Sequence, residues 1–70
     1  MQRQLVISSE LHSVGYDDAN NVLEVEFRTG GVYQYFGVPR ESYVALMAAM
    51  SKGRFFSTQI KPAYRCMRTE

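Results

Sequence analysis

Between Val22 and Arg28 apolar and charged side chains alternate without a break: Leu23, Val25 and Phe27 on one side, Glu24, Glu26 and Arg28 on the other. A period of two belongs to a strand with one buried and one wet face, and a 3.6-residue helix does not reproduce it. Such a strand needs hydrogen-bonding neighbours and an apolar cover for Leu23, Val25 and Phe27. The flanking sequence offers the neighbours. Upstream, Asp17-Asp18-Ala19-Asn20-Asn21 is a turn cluster, because Asp and Asn bond their own main chain and tolerate left-handed backbone. Before it, Leu11 to Tyr16 reads as a short strand in which Val14 and Tyr16 alternate with Ser13 and Gly15. Downstream, Thr29-Gly30-Gly31 leads into the β-rich run Val32 to Gly37, which makes a hairpin with the first run. Residues 1–10 read as weak strand or loose lead-in.

The cover comes from the second half. Pro39 suits a first helical turn, where its missing N–H costs nothing. Arg40 to Met50 follows with Tyr43, Leu46, Met47 and Met50 at i, i+3, i+4 and i+7, one apolar stripe. Ser51 can cap a short second helix in which Phe56 and Ile60 share a face, and Pro62 stops it. The expected fold is therefore α+β: a three-stranded antiparallel β-meander packed on one main α-helix, plus a short C-terminal helix or turn. All 70 residues form one domain.

That domain must hold itself together by packing or by a partner subunit. Cys66 is the only cysteine and His12 the only histidine, so neither an internal disulfide nor a histidine- and cysteine-rich metal site can be assembled. A hydrophobic share of 46% and an aromatic share of 13% are those of a globular chain. A lone thiol fits a reducing compartment. No apolar run approaches the roughly 20 residues that cross a bilayer, and Leu5 to Ile7 is too short for a secretory core. Cytoplasmic residence without membrane contact is expected. No cofactor is expected either, and no catalysis. Cys66 and His12 lie at opposite chain ends, the turn accounts for Asp17 and Asp18, and Glu24 and Glu26 make an ordinary solvated strand face.

Charge is unevenly spread. Residues 1–50 carry Arg3, Arg28 and Arg40 against six acids, whereas residues 51–70 carry Lys52, Arg54, Lys61, Arg65 and Arg68 against Glu70 alone. A basic segment interleaved with Phe55, Phe56 and Tyr64 points to an anionic partner, since Lys and Arg neutralise phosphates while aromatic faces stack on bases. The two phenylalanines are expected in the core of so small a domain. Tyr33 and Tyr35 are the second candidate. A two-residue hairpin loop sets them beside Glu24, Glu26 and Arg28 on the wet face, where sheet tyrosines can stack unpaired bases. A three-residue loop with a bulge turns both toward the core. The two-residue loop is the favoured expectation. The candidate nucleic-acid-binding residues are thus Tyr33, Tyr35, Lys52, Arg54, Lys61, Arg65 and Arg68.

An ordered set of segments also resembles a known family. Gly15-Tyr16-Asp17, Leu23-Glu24-Val25-Glu26-Phe27-Arg28, Gly30, Val32-Tyr33-Gln34-Tyr35-Phe36, Val38-Pro39, Ser51-Lys52-Gly53-Arg54-Phe55-Phe56, Ile60 and Tyr64 occur in the order of the KTSC domain. The resemblance covers about residues 9–64 and includes the family's Tyr-x-Tyr at Tyr33 to Tyr35. That domain is named for its place at the C-terminus of some lysyl-tRNA synthetases and also stands alone as a small bacterial or phage protein. Attachment to a tRNA-charging enzyme implies an RNA-binding role. The expected partners are RNA or another single-stranded nucleic acid, or alternatively another protein or a second copy of the chain.

Overall fold

The computed structural model describes residues 1–70 and is an antiparallel meander of five strands, not three. In chain order these are β1 (Arg3–Leu5), β2 (Leu11–Asp17), β3 (Val22–Phe27), β4 (Val32–Phe36) and β5 (Cys66–Arg68), and their order in the sheet is the same. Between β4 and β5 lie α1 (Arg40–Ala48), α2 (Lys52–Phe55) and a π-helical turn (Phe56–Ile60). The α+β class holds. The two additional strands are the short edges, each three residues long. Each uses the free hydrogen-bonding side of a neighbour: β1 pairs Arg3 with Gly15, and β5 pairs Cys66 with Tyr35 and Arg68 with Tyr33. Backbone bonds extend the β5 pairing at both ends, from Phe36 N–H to Arg65 O at 2.9 Å and from Thr69 N–H to Val32 O at 2.7 Å.

The turns follow their residue chemistry. Asp17 Oδ1 accepts from the amides of Ala19 and Asn20 at 3.0 and 3.3 Å, and Asn21 takes the left-handed φ of 54°. In the β3–β4 hairpin Gly30 N–H donates to Phe27 O and Phe27 N–H to Gly31 O, which encloses the three residues Arg28, Thr29 and Gly30. Gly30 carries φ 105°, the bulge position of a three-residue hairpin loop. In β2 the extra residue is His12: Leu11 faces Phe27 while Ser13 faces Glu26. This bulge returns Leu11 to the same face as Val14, and both are fully buried.

The core lies on one side of the sheet. Leu11, Val14, Leu23, Val25 and Tyr35 meet Val38, Leu46, Phe56 and Ile60 in a single cluster. Phe27 stays on this face, packed edge-to-face on Phe56 with ring centroids 5.5 Å apart. The cover is shared. From α1 only Leu46 is fully enclosed, with Tyr43 and Met47 packed at the margin. Tyr43 stacks on Tyr16 at 4.9 Å, and the Tyr16 hydroxyl donates to Val38 O at 2.7 Å, which ties the start of the helix to the sheet. The predicted stripe ends early. Ala49 turns extended after Ala48, and Met50 is fully exposed. The remaining cover is Phe56 and Ile60, both enclosed because the i→i+5 turn from Phe56 O to Lys61 N–H holds them on one side. Ser51 caps α2 as expected, its hydroxyl accepting from Arg54 N–H at 3.3 Å.

Close packing of the first two strands depends on Gly15, since a Cβ there would stand 2.6 Å from Gln2 O, a backbone atom that cannot swing away. Gly15→Ala is expected to push β1 off the sheet and lower the unfolding free energy by about 1–3 kcal/mol in urea titrations. A variant as stable as the parent would contradict this contact.

Candidate nucleic-acid interface

The hairpin register places the tyrosines opposite to the favoured expectation. Val25 pairs with Tyr33 and Leu23 with Tyr35, so both tyrosines stand on the core side. The reason is the three-residue loop: one more residue in the turn exchanges the two faces of β4. Tyr35 is 2% exposed, and its ring packs edge-to-face on Phe56 at 5.2 Å. It cannot be a stacking platform on the wet face. That face instead carries a closed polar network. Arg3 reaches Glu24 Oε2 at 2.7 Å and Ser13 Oγ at 2.9 Å, Ser13 donates to Glu26 at 2.8 Å, and Gln34 donates to Glu24 Oε1 at 2.9 Å. Burial raises the Glu24 pKa, but the hydrogen bonds from Gln34 and Arg3 and the Arg3 charge together outweigh it, so the carboxyl sits below its ordinary value. Arg3, the one cation of this network, is taken up by Glu24 and Glu26, so the network has no free cation to offer a phosphate.

Tyr33 and Tyr35 meet a different feature. A cleft of about 430 Å³ opens at the hairpin end of the core side, lined by Phe27, Thr29, Gly30, Tyr33, Tyr35, Lys61 and Cys66. Phe27 and Tyr33 form an aromatic wall, edge-to-face at 5.5 Å. The Arg68 guanidinium lies over the Tyr33 ring, 5.8 Å from its centroid, in cation–π contact. Lys61 follows the last residue of the π-turn and is exposed at the cleft. The structure therefore brings together Tyr33, Tyr35, Lys61 and Arg68, four of the seven candidates.

The other three lie elsewhere. Arg54 lines a separate depression with Ser51, Phe55 and Thr58. Lys52 donates to Ala49 O at 3.1 Å, and Arg65 is exposed beside the β4 edge, where its carbonyl accepts from Phe36. The ion pairs between side chains are Arg3 with Glu24 and Glu26, and Arg40 with Asp18, so no cation from Lys52 to Arg68 pairs with an acidic side chain, although Arg68 Nε donates to Glu70 O at 2.9 Å. Phe27 and Cys66 join the site without having been singled out for it. The alternation placed Phe27 in the core, and nothing in Cys66-Met67-Arg68 announced that it would pair beside Tyr35.

A family model described as the KTSC domain matches residues 7–64, two residues more than the stretch where the resemblance is visible by eye. The chain belongs to the KTSC domain family. The crystal structure of a KTSC domain protein from Yersinia pestis has the same fold, with a TM-score of 0.96 and 48% sequence identity over 99% of this chain and 97% of that one. An uncharacterized protein from Stutzerimonas stutzeri (strain A1501) is 45% identical over 64 residues, which span 91% of this chain and 90% of the relative. A protein from Tsukamurella paurometabola is 41% identical over 64 residues, 91% of this chain and 96% of its own length. The likeness thus spans nine-tenths or more of each chain.

In this KTSC domain Tyr35 is the group whose chemistry the cleft alters most. Burial first, and then the neighbouring Cys66 thiol and Tyr33, push its pKa up to about 12. Because the folded value lies above the free value of about 10, the stability that neutral Tyr35 contributes is complete below pH about 10. It is lost as pH rises toward about 12. Ultraviolet titration should show one tyrosine ionising after the rest, and Tyr35→Phe should remove that last step. An unchanged alkaline limb in the variant would show that Tyr35 is not enclosed.

Proposed function

We propose that this KTSC domain is a non-catalytic binding module of the cytoplasm that holds single-stranded nucleic acid, RNA foremost, along its C-terminal half. The observation that carries the proposal is the set of cations from Lys52 to Arg68 that pair with no acidic side chain, two of which, Lys61 and Arg68, flank the aromatic cleft. Cations already neutralised by acids release few counterions on binding a phosphate chain, whereas free ones do so fully. Single strands suit the geometry better than duplexes. The chain has no long helix for a major groove, since α1 spans nine residues and ends against α2, and unstacked bases can reach an aromatic wall. No helix is long and apolar enough to cross a membrane, which agrees with a module working in water.

A second reading has its own support. Strand β1 is an open edge, and Leu5 at its end and Ile7 just after it are 70% and 95% exposed. Such an edge favours pairing with another protein or with a second copy. Sedimentation as a dimer, with no retention of cellular RNA, would favour this alternative.

Cations that meet phosphates impose a salt dependence on binding. With a labelled single-stranded RNA, log K should fall against log salt between about 50 and about 200 mM, with a slope of about 0.7 per phosphate neutralised. Lys61→Ala with Arg54→Ala should weaken binding and flatten that slope by about two such increments. Equal affinity and equal slope in the double variant would remove the proposal.

A further inference from the structure

One group in the cleft has work left undone. Tyr35 is almost wholly enclosed, and the side-chain hydrogen bond at its hydroxyl is with the Cys66 thiol, a weak partner. By contrast, the hydroxyl of Tyr16 in β2 donates to Val38 O at 2.7 Å. No buried side-chain oxygen or nitrogen lacks a partner, and Tyr35 and Cys66 both line the cleft. A hydroxyl held by a thiol at the wall of a cavity can exchange that weak bond for a ligand edge bearing stronger hydrogen-bonding groups.

The walls define the rest of the ligand. Phe27 and Tyr33 present aromatic surface, the volume of about 430 Å³ is in the range of small-molecule sites, and Lys61 supplies a cation at the lining with Arg68 behind Tyr33. Aromatic wall, polar floor and cationic rim match a planar heteroaromatic ring joined to a phosphate. We infer that the cleft seats one unstacked nucleobase, with its ring against Tyr33, its edge on the Tyr35 hydroxyl and its phosphate at Lys61. The inference rests on the strand-binding proposal and deepens it: the cations hold the backbone without regard to sequence, and this cleft reads a single position. A free nucleotide carries the same chemistry as a base within a strand, so the two sources are separated by experiment.

Amide shifts are to be followed by NMR with each of the four nucleoside 5′-monophosphates, with a short single-stranded RNA, and with an abasic sugar-phosphate strand of equal length. The expected result is that the RNA moves Gly30, Tyr33, Tyr35 and Cys66, while the abasic strand moves Lys61 and Arg68 but leaves the cleft floor in place. Tyr35→Phe keeps the ring packed on Phe56 and should lower RNA affinity about threefold to tenfold without changing that of the abasic strand. Tyr33→Leu keeps apolar bulk and should cost about tenfold on the RNA alone. If RNA binds and its affinity depends on the cations, but both tyrosine variants bind as the parent does, the cleft inference is overturned and the strand-binding proposal stands. If a monophosphate shifts the cleft and no strand binds, the strand-binding proposal falls and the cleft is a free-nucleotide site. No shift in the cleft with any probe overturns the inference.

Discussion

The register of the β3–β4 hairpin governs the rest of the molecule. Three residues in its loop, with Gly30 at a φ of 105°, pair Val25 with Tyr33 and Leu23 with Tyr35 and so turn both tyrosines inward. From there the core acquires the Tyr35–Phe56 contact, and the opposite face is left to Glu24, Gln34, Arg3 and Ser13, which satisfy one another. A loop shorter by one residue would bury Gln34 against apolar neighbours and put two tyrosines in water. The cost of a buried amide without a partner, about 1–3 kcal/mol, together with the lost aromatic packing, makes that alternative untenable in so small a core.

The same register explains how a chain with one cysteine, and hence no internal disulfide, stays folded. Burying a tyrosine uses more apolar area than burying a valine, and β4 then offers its free edge to β5. The C-terminal strand returns Cys66 beside Tyr35 and Arg68 over Tyr33, so the last residues of the chain complete the cleft that the hairpin begins. Fold and site therefore share their parts. Residues that hold the β4 edge in place also set the distance between the aromatic wall and the cations.

Much of this was legible in the sequence. The alternation from Val22 to Arg28 gave β3 and its buried face, Asp17 to Asn21 gave the preceding turn, and Ser51 gave the cap of α2. The basic segment was visible as composition, and its cations pair with no acidic side chain. What remained hidden has physical reasons. Thr29-Gly30-Gly31 accommodates either loop length, and only tertiary packing chooses between them, so the facing of Tyr33 and Tyr35 could not be read locally. Strands β1 and β5 are three residues long with no alternation; their extended state comes from the edges they meet. The helix pattern ran on to Met50, but the backbone turns at Ala49 so that Ser51 can start the next helix. The cleft arises from residues separated by up to 39 positions, Phe27 to Cys66, and no short motif encodes that meeting.

Photochemical crosslinking bears most directly on the claim that the aromatic cleft and the free cations beside it form the nucleic-acid surface. A single-stranded RNA carrying a photoreactive base, irradiated with the native protein and mapped by mass spectrometry, should attach at Tyr33, Cys66 or their immediate neighbours and also near Lys61. Attachment confined to the Arg3–Glu24 face of the sheet, or none at saturating RNA, would contradict the account.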